Sequence, residues 1–314
     1  MKKTNIIFMG TPDFSVPSLQ ALASQDDFHI SLVVTQPDRP RGRGKKLSFS
    51  PVKKAALELG LKIFQPEVLN CEEGLKKLSV LDPDYFVVVA FGQILSQDIL
   101  AIPKIYPINI HASLLPRYRG AAPIQAAVMN MDKETGITTM VMAKGMDTGD
   151  ILLTSSIPVY PEETALELHD RLSPLGGELV IETIRQINQN NLIPIPQDHS
   201  RATHVPMLKK SDGNIDWTRS NKEICAHINA MTPWPGAFTH LNGKRIKIFK
   251  ALAIGKDTAV DPGMICRCDD KGIHVATGKG MVVILELMGS SGKRLHTGVF
   301  LRGHKIDLPA RFER

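Results

Sequence analysis

Asn109 and His111 stand two residues apart in the apolar run from Ile105 to Ala112, and Ser113-Leu114-Leu115-Pro116 follows directly. Further on comes the glycine-flanked turn Gly145-Met146-Asp147-Thr148-Gly149-Asp150. On a strand, alternate residues share a face. The amide and the imidazole therefore project to one side, and Ile108 and Ile110 to the other. A strand inside a parallel sheet is usually apolar on both faces, so packing does not account for these two polar side chains. An imidazole can serve as acid, as base or, when protonated, as a hydrogen-bond donor to developing negative charge, and an amide adds a second donor. That pairing suits acyl transfer, in which a carbonyl oxygen becomes an oxyanion. A carboxylate is the natural third member, because it orients the imidazole and can take up a proton. Asp147 and Asp150 both qualify, and spacing does not choose between them. The plainer alternatives are a satisfied core histidine and a turn carboxylate.

Several other chemistries lack their carriers. No serine or cysteine sits in a G-x-S-x-G elbow, so transfer would be direct rather than through a covalent acyl-enzyme. Gly10-Thr11-Pro12 is not G-x-G-x-x-G, and no G-x-x-x-x-G-K-[ST] occurs, which counts against a dinucleotide cofactor or nucleotide hydrolysis. Without H-E-x-x-H or a carboxylate cluster at ligand spacing, no catalytic metal is expected. Cys71, Cys225, Cys266 and Cys268 form no C-x-x-C pair, so a structural zinc site or a disulfide framework is not expected and a reducing compartment fits.

The 314 residues are long enough for two domains. The basic head Met1-Lys2-Lys3 precedes only four apolar residues, Ile6 to Met9, before Gly10-Thr11-Pro12-Asp13, which reads as a first strand rather than a signal peptide. No apolar run reaches the length of a membrane span. A monomeric, cytoplasmic protein is expected. Of the net charge of +6, residues 1–190 carry about −2 and the remainder about +8. Residues 36–54 alone hold Arg39, Arg41, Arg43, Lys45, Lys46, Lys53 and Lys54 against Asp38. One cationic run is ordinarily a solvated surface. Two separate basic features point to a polyanion, whose binding scales with the number of phosphates neutralised together.

Apolar, β-rich runs at Ile6–Met9, Ile30–Val34, Lys62–Phe64, Tyr85–Phe91, Ile108–His111, Ile137–Ala143 and Ile151–Ile157 alternate with helix-like segments to about residue 188. This pattern predicts an α/β, Rossmann-like, mostly parallel sheet over residues 1–189. Thr11-Pro12 and Ser50-Pro51 read as helix starts, a capping residue followed by proline. A long helix from Glu162 towards Ile187 is expected to kink or split at Pro174-Leu175-Gly176-Gly177. Residues 190–208, rich in Asn, Gln and Pro and without period, read as a linker. Over 209–314, expected strands at Gly213–Asp216, Arg245–Phe249, Gly263–Arg267, Gly272–Ala276 and Met281–Met288, with a helix at Asn221–Ala230, suit a small OB-like β-barrel.

The order and spacing of Asn109, His111, Ser113-Leu114-Leu115-Pro116 and Asp147 resemble the signature of the folate-dependent formyltransferases. The resemblance runs nearly the whole length, closest to members that act on methionyl-tRNA. It takes in Gly10-Thr11-Pro12-Asp13-Phe14, Thr35-Gln36-Pro37-Asp38-Arg39-Pro40, Gly42-Arg43-Gly44-Lys45-Lys46, Phe91-Gly92-Gln93-Ile94-Leu95, Arg119-Gly120-Ala121-Ala122-Pro123-Ile124-Gln125 and Trp234-Pro235-Gly236-Ala237. It implies transfer of the formyl group of 10-formyltetrahydrofolate to the α-amino group of methionine on initiator tRNA. Asn109, His111 and Asp147 would be catalytic. Ser113, Leu114, Leu115 and Pro116 would shape the folate site, with Phe91, Gly92, Gln93, Ile94 and Leu95 in the pterin pocket. Arg39, Arg41, Arg43, Lys45 and Lys46 would meet the acceptor end of the tRNA, and the C-terminal barrel its stem. The rivals are a formyltransferase acting on a small amine (glycinamide ribonucleotide or an amino sugar nucleotide), a hydrolase releasing formate, and a non-catalytic RNA-binding protein. The two basic features disfavour the small amine, and the polar strand face disfavours the protein without catalysis.

Overall fold

The computed structural model describes residues 3–41, 46–255 and 259–313. The chain forms two compact units, one of Met1–Gly120, Thr135–Ile157 and His169–His204, the other of Ala121–Glu134, Pro158–Leu168 and Val205–Arg314. The elements begin with β1 (Thr4–Gly10), α1 (Val16–Ala23), β2 (Phe28–Val34), β3 (Arg39–Arg41) and β4 (Lys46–Ser48). Next come α2 (Pro51–Glu58), β5 (Ile63–Phe64), α3 (Glu72–Ser79), β6 (Tyr85–Val89), α4 (Gln97–Leu100) and β7 (Tyr106–His111). Then follow β8 (Arg119–Gly120), α5 (Pro123–Met129), β9 (Glu134–Val141), β10 (Ile151–Pro158) and α6 (Ala165–Asn188).

The principal sheet has the order β10-β9-β7-β6-β1-β2-β5. From β7 to β5 all neighbours are parallel, and β9 joins β7 antiparallel. This is the Rossmann-like sheet expected from the alternating pattern. The period-2 alternation of each strand divides the core. Ile7 and Met9, Leu32 and Val34, and Phe86 and Val88 share one face, covered by Leu78 of α3 and Ile99 of α4. The chain leaves β1 towards β5 in one direction and later places β6 and β7 on the other side. The strand order therefore reverses between β1 and β6, where open α/β sheets form their ligand crevice.

Two local expectations change. Thr11 caps no helix; its hydroxyl donates to the Phe91 carbonyl at 2.8 Å, and α1 begins only at Val16, after a short 3-10 turn. The chain end of β1 is thus tied to that of β6. α6 runs unbroken across Pro174. Its glycines are there for close approach: a Cβ on Gly177 would lie 3.0 Å from Ala21 Cβ and 3.1 Å from the Pro17 carbonyl oxygen, and one on Gly176 3.0 Å from Ile110 Cγ2. Ser50 does cap α2, accepting from Lys53 N–H at 3.0 Å while sharing a 2.8 Å bond with Thr35 Oγ1. Ser50→Ala should cost about 1 kcal/mol, measured as a lower denaturant midpoint at unchanged m-value.

β11 (His204–Val205) leads into the second unit and to α7 (Asn221–Met231), whose N-terminus is closed by a Ser220–Glu223 capping box. β12 (Ala237–Leu241), β13 (Lys244–Ile254), β14 (Met264–Asp269), β15 (Gly272–Ala276), β16 (Met281–Met288), β17 (Leu295–His296), α8 (Thr297–Gly303) and β18 (Ala310–Arg311) complete it. The sheet order is β12-β13-β16-β15-β14-β18, with β17 on β16. Just beyond β18, Glu313 exchanges backbone bonds with His240 of β12 at 2.9 and 3.3 Å, so the two edges of the curled sheet meet. This curled antiparallel sheet matches the expected OB-like barrel. Trp217 stacks on Phe312, ring centroids 5.4 Å apart, and donates to Thr239 Oγ1 at 3.0 Å. Residues 213–216 form no strand: a Cβ on Gly213 would lie 2.2 Å from the Gly236 carbonyl oxygen, and only Asn214 bridges to Phe238.

Candidate active site

β7 is an interior strand, paired with β6 through Val88–Asn109 and with β9 through Asn109–Met140 and His111–Thr138. It delivers Asn109 and the buried His111 to the carboxyl end of the sheet. His111 Nε2 lies 2.9 Å from the Tyr118 carbonyl oxygen, which can only accept, so this nitrogen carries a proton. Nδ1 then faces Asp147 Oδ2 at 3.6 Å. Asn109 Nδ2 lies 3.5 Å from Asp147 Oδ1. These two distances are long, whereas the Gly120 N–H donates to Asp147 Oδ2 at 2.8 Å. Backbone therefore anchors the carboxylate, leaving the amide and the imidazole directed at a shared space.

Of Asp147 and Asp150, which spacing leaves equal, the turn brings the Asp147 carboxylate beside Asn109 and His111. Asp147 has φ +53°, a left-handed conformation that costs a non-glycine residue about 1 kcal/mol or more. That conformation turns its carboxylate back to the strand. Asp150 instead continues into β10, its carbonyl accepting from Val141 N–H at 2.9 Å.

A cavity of about 240 Å³ opens beside this group. Asn109, Asp147, Gln93 and Lys144 are its polar lining residues, and Ile94, Leu95, Leu100, Met140, Met142 and Met146 supply most of its apolar wall. Ile94 and Met146 are largely exposed at its rim. Thioethers and branched aliphatics make an adaptable, apolar wall suited to a flat heteroaromatic ring. Of the expected folate set, Gln93, Ile94 and Leu95 reach this wall; Phe91, Gly92, Ser113, Leu114, Leu115 and Pro116 do not. Phe91 instead lies in the core. Ser113 is buried, donating to the Arg117 carbonyl at 2.6 Å, and Thr138 ties the loop by donating to the Ser113 carbonyl and accepting from Leu115 N–H. Leu114 packs over Gly136. Sequence reasoning missed Met140 and Met142, although their two-residue spacing at the end of β9 carried the signal.

The family model described as formyl transferase matches residues 2–184, and the one described as formyl transferase, C-terminal domain, matches residues 207–305. The chain belongs to the formyl transferase family. A protein of Geobacter sulfurreducens named methionyl-tRNA formyltransferase is 47% identical to this formyltransferase over 98% of the chain and 96% of its own length. One of the same name from Clostridium novyi is 44% identical over 96% and 98%. Among solved structures, an N-formyltransferase from Helicobacter canadensis, crystallised with folinic acid and dTDP-3-aminofucose, shares the fold at TM-score 0.65. It is 18% identical, over 90% of this chain and 99% of that protein. HypX from Aquifex aeolicus with tetrahydrofolic acid aligns at TM-score 0.63 and 17% identity, over 98% of this chain and 50% of HypX.

Part of the formyltransferase's basic run lies on the two short antiparallel strands β3 and β4. Arg39 pairs with Ser48 and Arg41 with Lys46, in antiparallel register. Arg43 and Lys45 lie outside the described residues, and of Arg41 and Lys46 only the backbone is described. The Lys53 ammonium and then the Gln65 amide hold the Asp38 carboxyl below its usual range. The Lys53 charge is thus offset by Asp38. Among the described residues, no group of three His, Cys, Asp or Glu could hold a metal ion, and no helix is long and apolar enough to cross a membrane.

Proposed function

We infer that this formyltransferase moves the formyl group of 10-formyltetrahydrofolate onto the α-amino group of methionine esterified to initiator tRNA, giving N-formylmethionyl-tRNA for translation initiation in the cytoplasm. The observation that carries this reading is the near-complete-length identity to proteins named methionyl-tRNA formyltransferase. The cavity at Asn109 and Asp147, with its methionine and leucine wall, fits a pterin. Bound there, 10-formyltetrahydrofolate supplies a formyl carbonyl that an amine can attack.

Asn109 Nδ2 and a proton on His111 Nδ1 stabilise the carbonyl oxygen as it gains negative charge. The Tyr118 carbonyl fixes which ring nitrogen is available for that task. Asp147, held at Oδ2 by the Gly120 N–H, presents Oδ1 beside Asn109 Nδ2 to take the proton released as the amine nitrogen bonds to the formyl carbon. The adduct then collapses as the bond from the formyl carbon to N10 breaks, and that proton goes to N10 of the departing tetrahydrofolate. Ser113 to Pro116 act on the pocket through packing, while Gln93, Ile94 and Leu95 line it. Residues 1–189 carry this chemistry, and 209–314 hold the tRNA stem through phosphates.

The cations Arg39, Arg41, Arg43, Lys45 and Lys46 engage the acceptor end. Arg41→Ala, Arg43→Ala and Lys45→Ala combined should raise the KM for methionyl-tRNA at least about tenfold at moderate salt. The same variant should flatten the logarithmic salt dependence by about three phosphate contacts. An unchanged salt slope would return these cations to plain solvated surface. The reading as a whole is tested by incubating the protein with 10-formyltetrahydrofolate and methionyl initiator tRNA, with methionyl elongator tRNA in parallel. Formylation of the initiator alone is expected; formylation of neither removes tRNA as acceptor.

A further inference from the structure

Gln197 sits in the aperiodic stretch after α6, yet it is only 6% exposed and its amide is fully used. Its Nε2 donates to the carbonyl oxygens of Asp147 at 2.9 Å and Gly149 at 2.6 Å. Its Oε1 accepts from Arg119 Nε at 3.1 Å and Nη2 at 2.6 Å. The orientation of the amide is therefore unambiguous, since a flipped group would set oxygen against two carbonyls and NH2 against a guanidinium. Arg119 is itself buried, and its Nη2 also meets His199 Nδ1 at 3.0 Å. Its chain neighbour Gly120 supplies the N–H on the Asp147 carboxylate. One buried guanidinium thus joins both supports of Asp147, the backbone donor on its carboxylate and the amide clamp on its left-handed turn.

We propose that Gln197, braced by Arg119, is the positioning residue that holds the 147–149 turn so that the Asp147 carboxylate faces Asn109 and His111. This rests on the formyl-transfer reading of the same site. A strained turn persists only where its surroundings over-determine it, and two donated hydrogen bonds to alternate carbonyls do so here. Gln197→Met keeps the length and removes both donors. Gln197→Glu keeps the partnership with Arg119, and hence the fold, but offers nothing to the two carbonyls.

Both variants should lower kcat for formyl transfer about tenfold or more, with the KM for the folate donor within about twofold of the parent. The same substitutions placed on Asp147→Asn should cost less than about twofold further, because residues acting as a unit are non-additive. Parent-like kcat in Gln197→Glu overturns the proposal, as does an equal loss on both backgrounds, the mark of a merely structural role. Unchanged turnover in Asp147→Asn alone overturns the reading of the site and this inference with it. A slow Asp147→Asn beside a fully active Gln197→Glu overturns this inference only.

Discussion

Asp147→Asn should lower kcat for formyl transfer by about 10²- to 10⁴-fold while leaving methionyl-tRNA binding close to the parent. The substitution changes little in the turn, because an amide oxygen can still accept from the Gly120 N–H that now meets Oδ2 at 2.8 Å. What it removes is the acceptor for the amine proton and the negative charge 3.6 Å from His111 Nδ1. His111→Ala should be slowed comparably, because it takes away the ring nitrogen, Nδ1, that the Tyr118 carbonyl leaves facing the site. The two losses should not add, since both residues serve one transition state. Single-turnover formylation at saturating donor gives the rate, and filter binding at fixed salt gives the affinity for tRNA. Parent-like turnover in both variants would sink the catalytic assignment of this strand and turn.

Much of this site was legible in the sequence because strands carry a period. Two residues of separation on an apolar run places Asn109 and His111 on one face whatever the rest of the fold does. The alternation of strand-like and helix-like segments likewise gave the mostly parallel sheet, and Ser50-Pro51 a capped helix. Turns have no such period. Asp147 and Asp150 were indistinguishable because the deciding quantity is the sign of one φ angle. Gln197 escaped notice for a related reason: it lies fifty residues from its partner at Asp147, in a stretch whose only visible property was the absence of a pattern. Local signals also misled where a residue serves a distant partner. Thr11 looks like a cap but ties two strand ends, and Gly176-Gly177 looks like a break but seats α6 against α1 and Ile110. Of the folate set that the resemblance implies, Gln93, Ile94 and Leu95 line the cavity beside Asn109, whereas Ser113 bonds to the Arg117 carbonyl and Phe91 lies in the core.

Gly149→Val should lower kcat about 10²-fold or more and also reduce the unfolding temperature, even though position 149 presents no functional group. A Cβ there would stand 1.7 Å from the Val141 carbonyl oxygen and 2.9 Å from its carbonyl carbon. That backbone has little freedom to yield, because Val141 is in ladder register with Ile108 of β7. The turn must move instead. Its displacement pulls Asp147 away from Gly120 and breaks the clamp on the carbonyls at 147 and 149, so the carboxylate leaves His111 without any change in its own chemistry. Gly145→Ala in the same turn is the informative contrast. Its Cβ would meet the side chain of Thr148, with Oγ1 at 2.5 Å and Cγ2 at 2.9 Å, and a half-exposed side chain can change rotamer where a carbonyl in a ladder cannot move. Activity within a few-fold of the parent is expected for Gly145→Ala. Equal kcat values for Gly149→Val and Gly145→Ala would show that the turn adjusts freely, and that the position of Asp147 does not depend on the backbone that carries it.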